Sequence, residues 1–311
     1  MKKGSFEGWY FKQNTNEGDY AIAFIPGHSI DSDGKAHAFI QINHTYKETN
    51  KKNSHYLYFP IEEFELKKNP LEIRVGDNFF SLNQIAINID AEDLNLHGNL
   101  KFGNITSYKR TPYSPSIMGP FGYLPFLECY HEVYSVGHST SGSLNVNNEK
   151  YDFENGNGYI EGDKGKSFPK RWIWFQANHF DNQLDVSIMC AIADVPILPA
   201  ISKSITGLIC ILSYQGTEYR FATYNGSKVE LIESYFEKDN EVVTIILAKG
   251  LTMLKIIIQS GHGAELKAPL QGAMERTLKE NLDATIEFEL SIESKIIHFG
   301  KGINCGFEKN W

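Results

Sequence analysis

Short runs rich in Ile, Val, Phe and Tyr recur along this chain at intervals of roughly ten residues, each closed off by Gly, Asn or Asp. Tyr20–Ile25, Ala38–His44, Tyr130–Val136, Trp172–Asn178 and Ala284–Ile292 are examples. β-Branched and aromatic side chains suit a pleated, half-buried surface, and the punctuating residues supply turn conformations. Asp33-Gly34 and Asn225-Gly226 are hairpin signals of this kind. Spacing so short leaves no room for the crossover helices that parallel strands need. The sequence therefore predicts an all-β chain folded as antiparallel β-barrels or sandwiches with few short helices. Helical patterning is confined to Ile197–Ser204 and Leu270–Glu280, each expected to hold one short helix.

The chain has 311 residues, enough for two domains of ordinary size. Residues 111–127 read TPYSPSIMGPFGYLPFL, an extended, proline-rich segment unlike the rest. It is the expected connector between halves, which places a boundary within residues 110–150. The expected domains are residues 1–135 and 136–311.

Charge and motif content narrow the function classes. Thirty Lys and Arg against 38 Asp and Glu give a formal charge of −8, which argues against nonspecific binding to nucleic acid. Cys129, Cys190, Cys210 and Cys305 form no CxxC pair and read as free thiols in a reducing compartment. Lys2-Lys3 precede Gly-Ser-Phe-Glu-Gly-Trp, which is not the apolar run of a signal peptide. The most apolar stretch, Val195–Tyr214, is interrupted by Pro, Ser, Gly and Lys203, so no stable membrane insertion is expected. The expected location is the cytoplasm; the oligomeric state is left open. Ten His show no HxH or HExxH spacing, and no metal site is expected. Gly165-Lys166-Ser167 imitates the end of a P-loop, but the required first Gly is Ile160.

Four segments are too particular to be plain strands and turns: Gly4–Lys12 (GSFEGWYFK), Met118–His131 (MGPFGYLPFLECYH), Gly158–Phe180 (GYIEGDKGKSFPKRWIWFQANHF), and the pair Lys267–Met274 and Gly302–Glu308. Strand periodicity puts Trp172, Trp174, Gln176 and Asn178 on one face, with Arg171, Ile173, Phe175, Ala177 and His179 on the other. Two indoles followed by two amides suit a pocket wall that takes an apolar body and orients a polar head. The alternative is that both Trp are core and both amides bind backbone at a rim. Around residue 130 the same parity separates Glu128, Tyr130 and Glu132 from Cys129 and His131. An inward Glu128 would be a general acid with a raised pKa, or one half of a salt bridge with Arg171. Trp9 is either a plug under a closed barrel end or a ligand contact.

Together and in this order the four segments resemble the tocopherol cyclase family, from Phe6 to Glu308. The resemblance implies two lipocalin-like barrels, a prenylated quinol-type substrate for the plant members, and no metal or organic cofactor. One departure stands out: the family pattern Glu-Lys-Asn/Asp-Trp-Gly is here Glu161-Gly162-Asp163-Lys164-Gly165. The implied activity is an intramolecular cyclase or isomerase. Its candidate acids are Glu128, Glu161 and Asp163. Trp9, Tyr130, His131, Arg171, Trp172, Trp174, Gln176 and Asn178 are its candidate ligand contacts. Glu128 and Glu161 rank above Asp163, whose neighbours Lys164 and Lys166 would keep it ionised and structural. The partner is then a small apolar or amphipathic molecule. The alternative is a noncatalytic carrier of a lipid, quinone or pigment.

Overall fold

A computed structural model describes residues 2–49, 51–125, 127–181, 185–198 and 201–311. Among these, every regular element is a strand apart from three short 3-10 helices. No helix is long and apolar enough to cross a membrane.

The first strands are β1 (Ser5–Asn14), β2 (Tyr20–Ile30), β3 (Ala36–Tyr46), β4 (Lys51–Phe59), β5 (Phe64–Lys68), β6 (Leu71–Val75), β7 (Asn78–Ser81), β8 (Gln84–Ala91) and β9 (Leu94–Thr106). After the proline-rich segment come β10 (Cys129–Val146), β11 (Glu149–Asp152) and β12 (Gly156–Gly165). The rest are β13 (Trp172–Ala177), β14 (His179–Phe180), β15 (Val186–Leu198), β16 (Ile201–Tyr214), β17 (Thr217–Ala222), β18 (Lys228–Glu237), β19 (Asn240–Lys249), β20 (Thr252–Ser260), β21 (Ala264–Leu270), β22 (Ala273–Ile292) and β23 (Lys295–Asn310).

Two sheets result. The first has twelve strands in the order β4-β3-β2-β1-β12-β10-β9-β8-β7-β6-β5, with β11 beside β10. It coils until β6 touches β2 and β3, giving a nearly closed barrel. The second has eleven strands in the order β17-β16-β15-β13-β23-β22-β20-β19-β18, with β14 and β21 at its flanks. The paired strands run antiparallel, as hairpin turns dictate.

The compact units interleave in the sequence. One comprises residues 1–107, 128–168 and 265–277; the other comprises 108–127, 169–264 and 278–311. The expected division at 135/136 falls inside β10, whose long pairing with β9 and β12 carries the chain past that point. Both expected helices are strands instead. Leu270–Glu280 lies in β21, a turn at Gly272, and β22; Gly272 has φ +80° and no room for a Cβ, which would stand 2.1 Å from the Ile30 carbonyl oxygen. Ile197–Ser204 falls on β15 and β16, apart from residues 199 and 200, which lie outside the described residues.

Each barrel is filled by its own side chains. Phe11, Ile22, Phe24, Ile40, Ile42, Ile73, Phe80, Leu100 and Ile160 lie in the first core. Ile173, Phe175, Ile188, Ile192, Leu212, Val243, Ile256 and Phe288 lie in the second. Full burial of such side chains stabilises the fold by roughly 1.5–3 kcal/mol each. The alternation that builds these cores also builds a second face, because β1, β2, β3, β12 and β13 are buried on both sides.

Candidate active site

On β1, Trp9 and Phe11 enter the core, so Tyr10 and Lys12 take the opposite face. On β12, Ile160 enters the core, so Tyr159, Glu161 and Asp163 share that opposite face. The register sets Tyr10 against Glu161 and Lys12 against Tyr159 on one side. On the other side it sets Val133 against Glu161 and His131 against Asp163. Residues from 28 to 151 positions apart in the chain become neighbours through strand pairing alone.

The centre of this face is a hydrogen-bonded group. His131 Nδ1 is 3.0 Å from Asp163 Oδ1, and His131 Nε2 is 3.5 Å from Glu161 Oε2. The Tyr159 hydroxyl donates to Glu161 Oε2 at 2.5 Å. Glu161 is only 5% exposed, so its charge is shielded from water. Burial by itself would lower the His131 pKa, but the Glu161 and Asp163 carboxylates outweigh it and hold the imidazole at about 9. His131 is therefore an imidazolium at neutral pH. Beside it, burial and then the Asp163 carboxylate push the Cys129 thiol up, so it stays neutral.

Donor atoms of His131, Glu161 and Asp163 lie within 4.8 Å of one another, a spacing that could hold a metal ion and that the chain's His spacing conceals. An ion there would first have to displace the imidazole proton.

The second unit carries its own buried outer face. Ile173, Phe175 and Ala177 join the core, which turns Trp172, Trp174 and Gln176 to the other side of β13. All three are buried there, on the side of β13 away from the cluster that Ile173 and Phe175 join. The Trp172 indole N–H donates to Glu308 Oε2 at 3.0 Å. Glu308 sits opposite Trp174 on β23, and the fully buried Glu280 sits opposite Glu308 on β22. Asn178 follows β13 and is buried. An open groove of about 590 Å³ in this unit is lined by Leu208, Val229, Leu231, Ile232 and Trp311 among others, and by none of the expected site residues.

The remaining expectations divide. Glu161, Asp163 and His131 converge, and the partner of Asp163 is His131 and not a Lys. Glu128 does not join them: its side chain is exposed, and its carbonyl oxygen receives the Lys166 N–H at 2.7 Å. That exposure sets Glu128 apart from the buried Glu161. Arg171 is half-exposed, 3.7 Å from Asp194 and stacked over the Trp311 ring, so it is no counter-ion for Glu128. Trp9 is 2% exposed in the barrel core, stacked with Phe64. Tyr130 is half-buried on the side of β10 opposite His131.

The departure at residues 162 and 164 also finds a place. A Cβ at Gly162 would stand 2.8 Å from the Trp9 ring, so the indole takes the space a side chain would fill. Lys164 is exposed and, by alternation, lies on the side of β12 away from Glu161 and Asp163. Sequence reasoning missed Lys12, Tyr159, Glu280 and Glu308. The signal for the first two was present, since Tyr10/Lys12 and Tyr159/Glu161 alternate with core residues.

Comparison with known proteins agrees with this architecture. The structure of CghA with Sch210972 aligns with a TM-score of 0.62 at 9% identity, covering 98% of this chain and 88% of that one. Kievitone hydratase from Nectria haematococca aligns with a TM-score of 0.54 at 14% identity, covering 98% and 89%. Such distant likenesses speak for the fold alone. A probable chloroplastic tocopherol cyclase of Oryza sativa subsp. japonica is 24% identical over 126 residues, which is 40% of this chain and 26% of the rice protein. The match thus spans about a quarter of that relative. The tocopherol cyclase-like family model matches residues 99–308, which includes β10, β12, β13 and β23. By that match, the chain belongs to the tocopherol cyclase-like family.

Proposed function

We propose that this protein is an acid–base enzyme of the cyclase or hydratase type, acting in the cytoplasm on a small amphipathic molecule with a prenylated, quinol-like aromatic head. The observation that carries the reading is His131 held between Glu161 and Asp163 on a buried face. Family membership and the folds of CghA and kievitone hydratase support it.

The chemistry needs few groups. The His131 imidazolium, 3.5 Å from Glu161 Oε2, hands its Nε2 proton to the Glu161 carboxylate, and the carboxyl so formed passes it to the less substituted alkene carbon. The carboxyl O–H bond breaks as the C–H bond forms, leaving a tertiary cation. A phenol oxygen captures that cation and closes a ring, or water captures it and gives an alcohol. The proton released by that oxygen returns to the Glu161 carboxylate and from there to His131, which restores the starting state, while the Tyr159 hydroxyl donates to Glu161 throughout. The net change is isomerisation, or addition of one water.

Exchanging Glu161 for Gln keeps shape and removes the proton. With a panel of prenylated hydroquinones, the parent should form a ring-closed or hydrated product, and Glu161→Gln should bind the same compounds without turnover. Equal turnover by both would remove Glu161 from the reaction. Binding by the parent with no turnover would favour a carrier of a lipid, quinone or pigment.

A further inference from the structure

The GSFEGWYFK segment ends on Lys12, a charged residue that the fold buries completely. Trp9 and Phe11 account for the core-facing half of that motif. Lys12 faces the other way, and a buried ammonium is costly unless its surroundings are built for it. Those surroundings within this unit can be read from the register. Lys12 pairs directly with Tyr159 on β12, with Glu161 two residues further on. On its other flank it pairs with Ala23 of β2, which pairs with Asn43 of β3.

The titratable groups on this face are Tyr10 and Lys12 from β1, Tyr159, Glu161 and Asp163 from β12, and Cys129 and His131 from β10, with Glu132 adding its charge to His131. On the same face β2 carries Ala21, Ala23 and Ile25, and β3 carries Phe39, Gln41, Asn43, Thr45 and the titratable His37, which is bonded to the Tyr56 hydroxyl of β4. On this face the basic side chains of Lys12, His131 and His37 accompany the carboxyl groups of Glu161 and Asp163. His131 is anchored on the Asp163 side, 3.0 Å away. Lys12 lies on the Tyr159 side of Glu161.

We propose that Lys12 is a positioning residue for the proton-transfer group, fixing Tyr159 and Glu161 from the β1 side and supplying the positive charge that favours the Glu161 carboxylate left after proton donation. The proposal rests on the acid–base reading above for its effect on turnover, but its electrostatic half can be measured without a substrate. Removing the Lys12 charge leaves the face more negative, so the His131 imidazole should hold its proton more tightly.

The test uses the full-length chain with Lys12→Met and Lys12→Arg. Thermal melting first establishes that each folds. The His131 ring is then titrated by NMR in parent and variants. Lys12→Met should move the His131 midpoint up by roughly half a pH unit or more, and Lys12→Arg should leave it near the parent value. With a prenylated hydroquinone that the parent converts, Lys12→Met should lower kcat about tenfold or more with KM little changed, and Lys12→Arg should restore part of it. Should Lys12→Met fail to fold, Lys12→Gln takes its place: a His131 midpoint and a kcat both equal to the parent's overturn the proposal. An unchanged His131 titration in folded Lys12→Met overturns the proposal. A shifted titration in a protein that converts no prenylated hydroquinone would leave Lys12 coupled to the cluster and defeat the acid–base reading instead.

Discussion

His131 Nε2 lies 3.5 Å from Glu161 Oε2 while its Nδ1 lies 3.0 Å from Asp163 Oδ1, so one imidazole bridges two carboxylates from a single neighbouring strand. β12 presents Glu161 and Asp163 to the same side because they are two residues apart, and β10 brings His131 directly opposite Asp163.

The first consequence is a pH dependence of stability. The His131 pKa is raised from 6.5 to about 9 in the folded chain. The stabilisation it contributes is therefore fully present below about pH 6.5 and is lost as pH rises through about 9. Its size is on the order of 2–3 kcal/mol. Urea unfolding at pH 6 and pH 10 should show the loss, and His131→Asn should abolish most of that difference.

A second prediction concerns β13. Trp172→Phe keeps an aromatic ring but removes the donor to Glu308, leaving a shielded carboxylate oxygen short of one partner. Stability should fall by about 1–3 kcal/mol, measured by denaturant unfolding. Trp174→Phe, retaining the Trp172 bond, is the control for lost aromatic volume.

A third tests the barrel interior. At Gly158 a Cβ would stand 2.1 Å from Gln13 Oε1 and 2.4 Å from His138 Nε2, both buried. Gly158→Ala should cost about 1–3 kcal/mol through forced displacement of that polar cluster, seen as a lower melting temperature. Gly216→Ala meets nothing within 4 Å, but its φ of +77° imposes backbone strain, so it should destabilise with no loss of packing.

Much of this was legible in the sequence for a physical reason: strand alternation is local. It separates Trp172, Trp174 and Gln176 from Ile173, Phe175 and Ala177 correctly, because period two needs no knowledge of the partner strand. Pairing is not local. Nothing in residues 128–135 alone says that the Glu128 carbonyl would serve Lys166 and leave the carboxyl in solvent, or that Asp163 would meet His131 and not a neighbouring Lys. The 270–280 stretch misled because it follows Pro269 and carries Met274, Arg276 and Lys279, a start and residue types that a short helix accepts. The long pairing of β22 with β20 and β23, and the turn at Gly272, decide otherwise. Lys12 was overlooked because a Lys ending an aromatic run reads as a solvated strand end, and only the register shows it buried beside Tyr159.

The most direct measurement of the central claim is turnover in D2O with a prenylated hydroquinone, read by mass spectrometry of the product. The acid–base account predicts one deuterium on carbon in a ring-closed or hydrated product from the parent, and bound but unreacted substrate from Glu161→Gln. Stoichiometric binding by the parent with the alkene intact, or a Glu161→Gln variant that incorporates deuterium at the parent's rate, would contradict it.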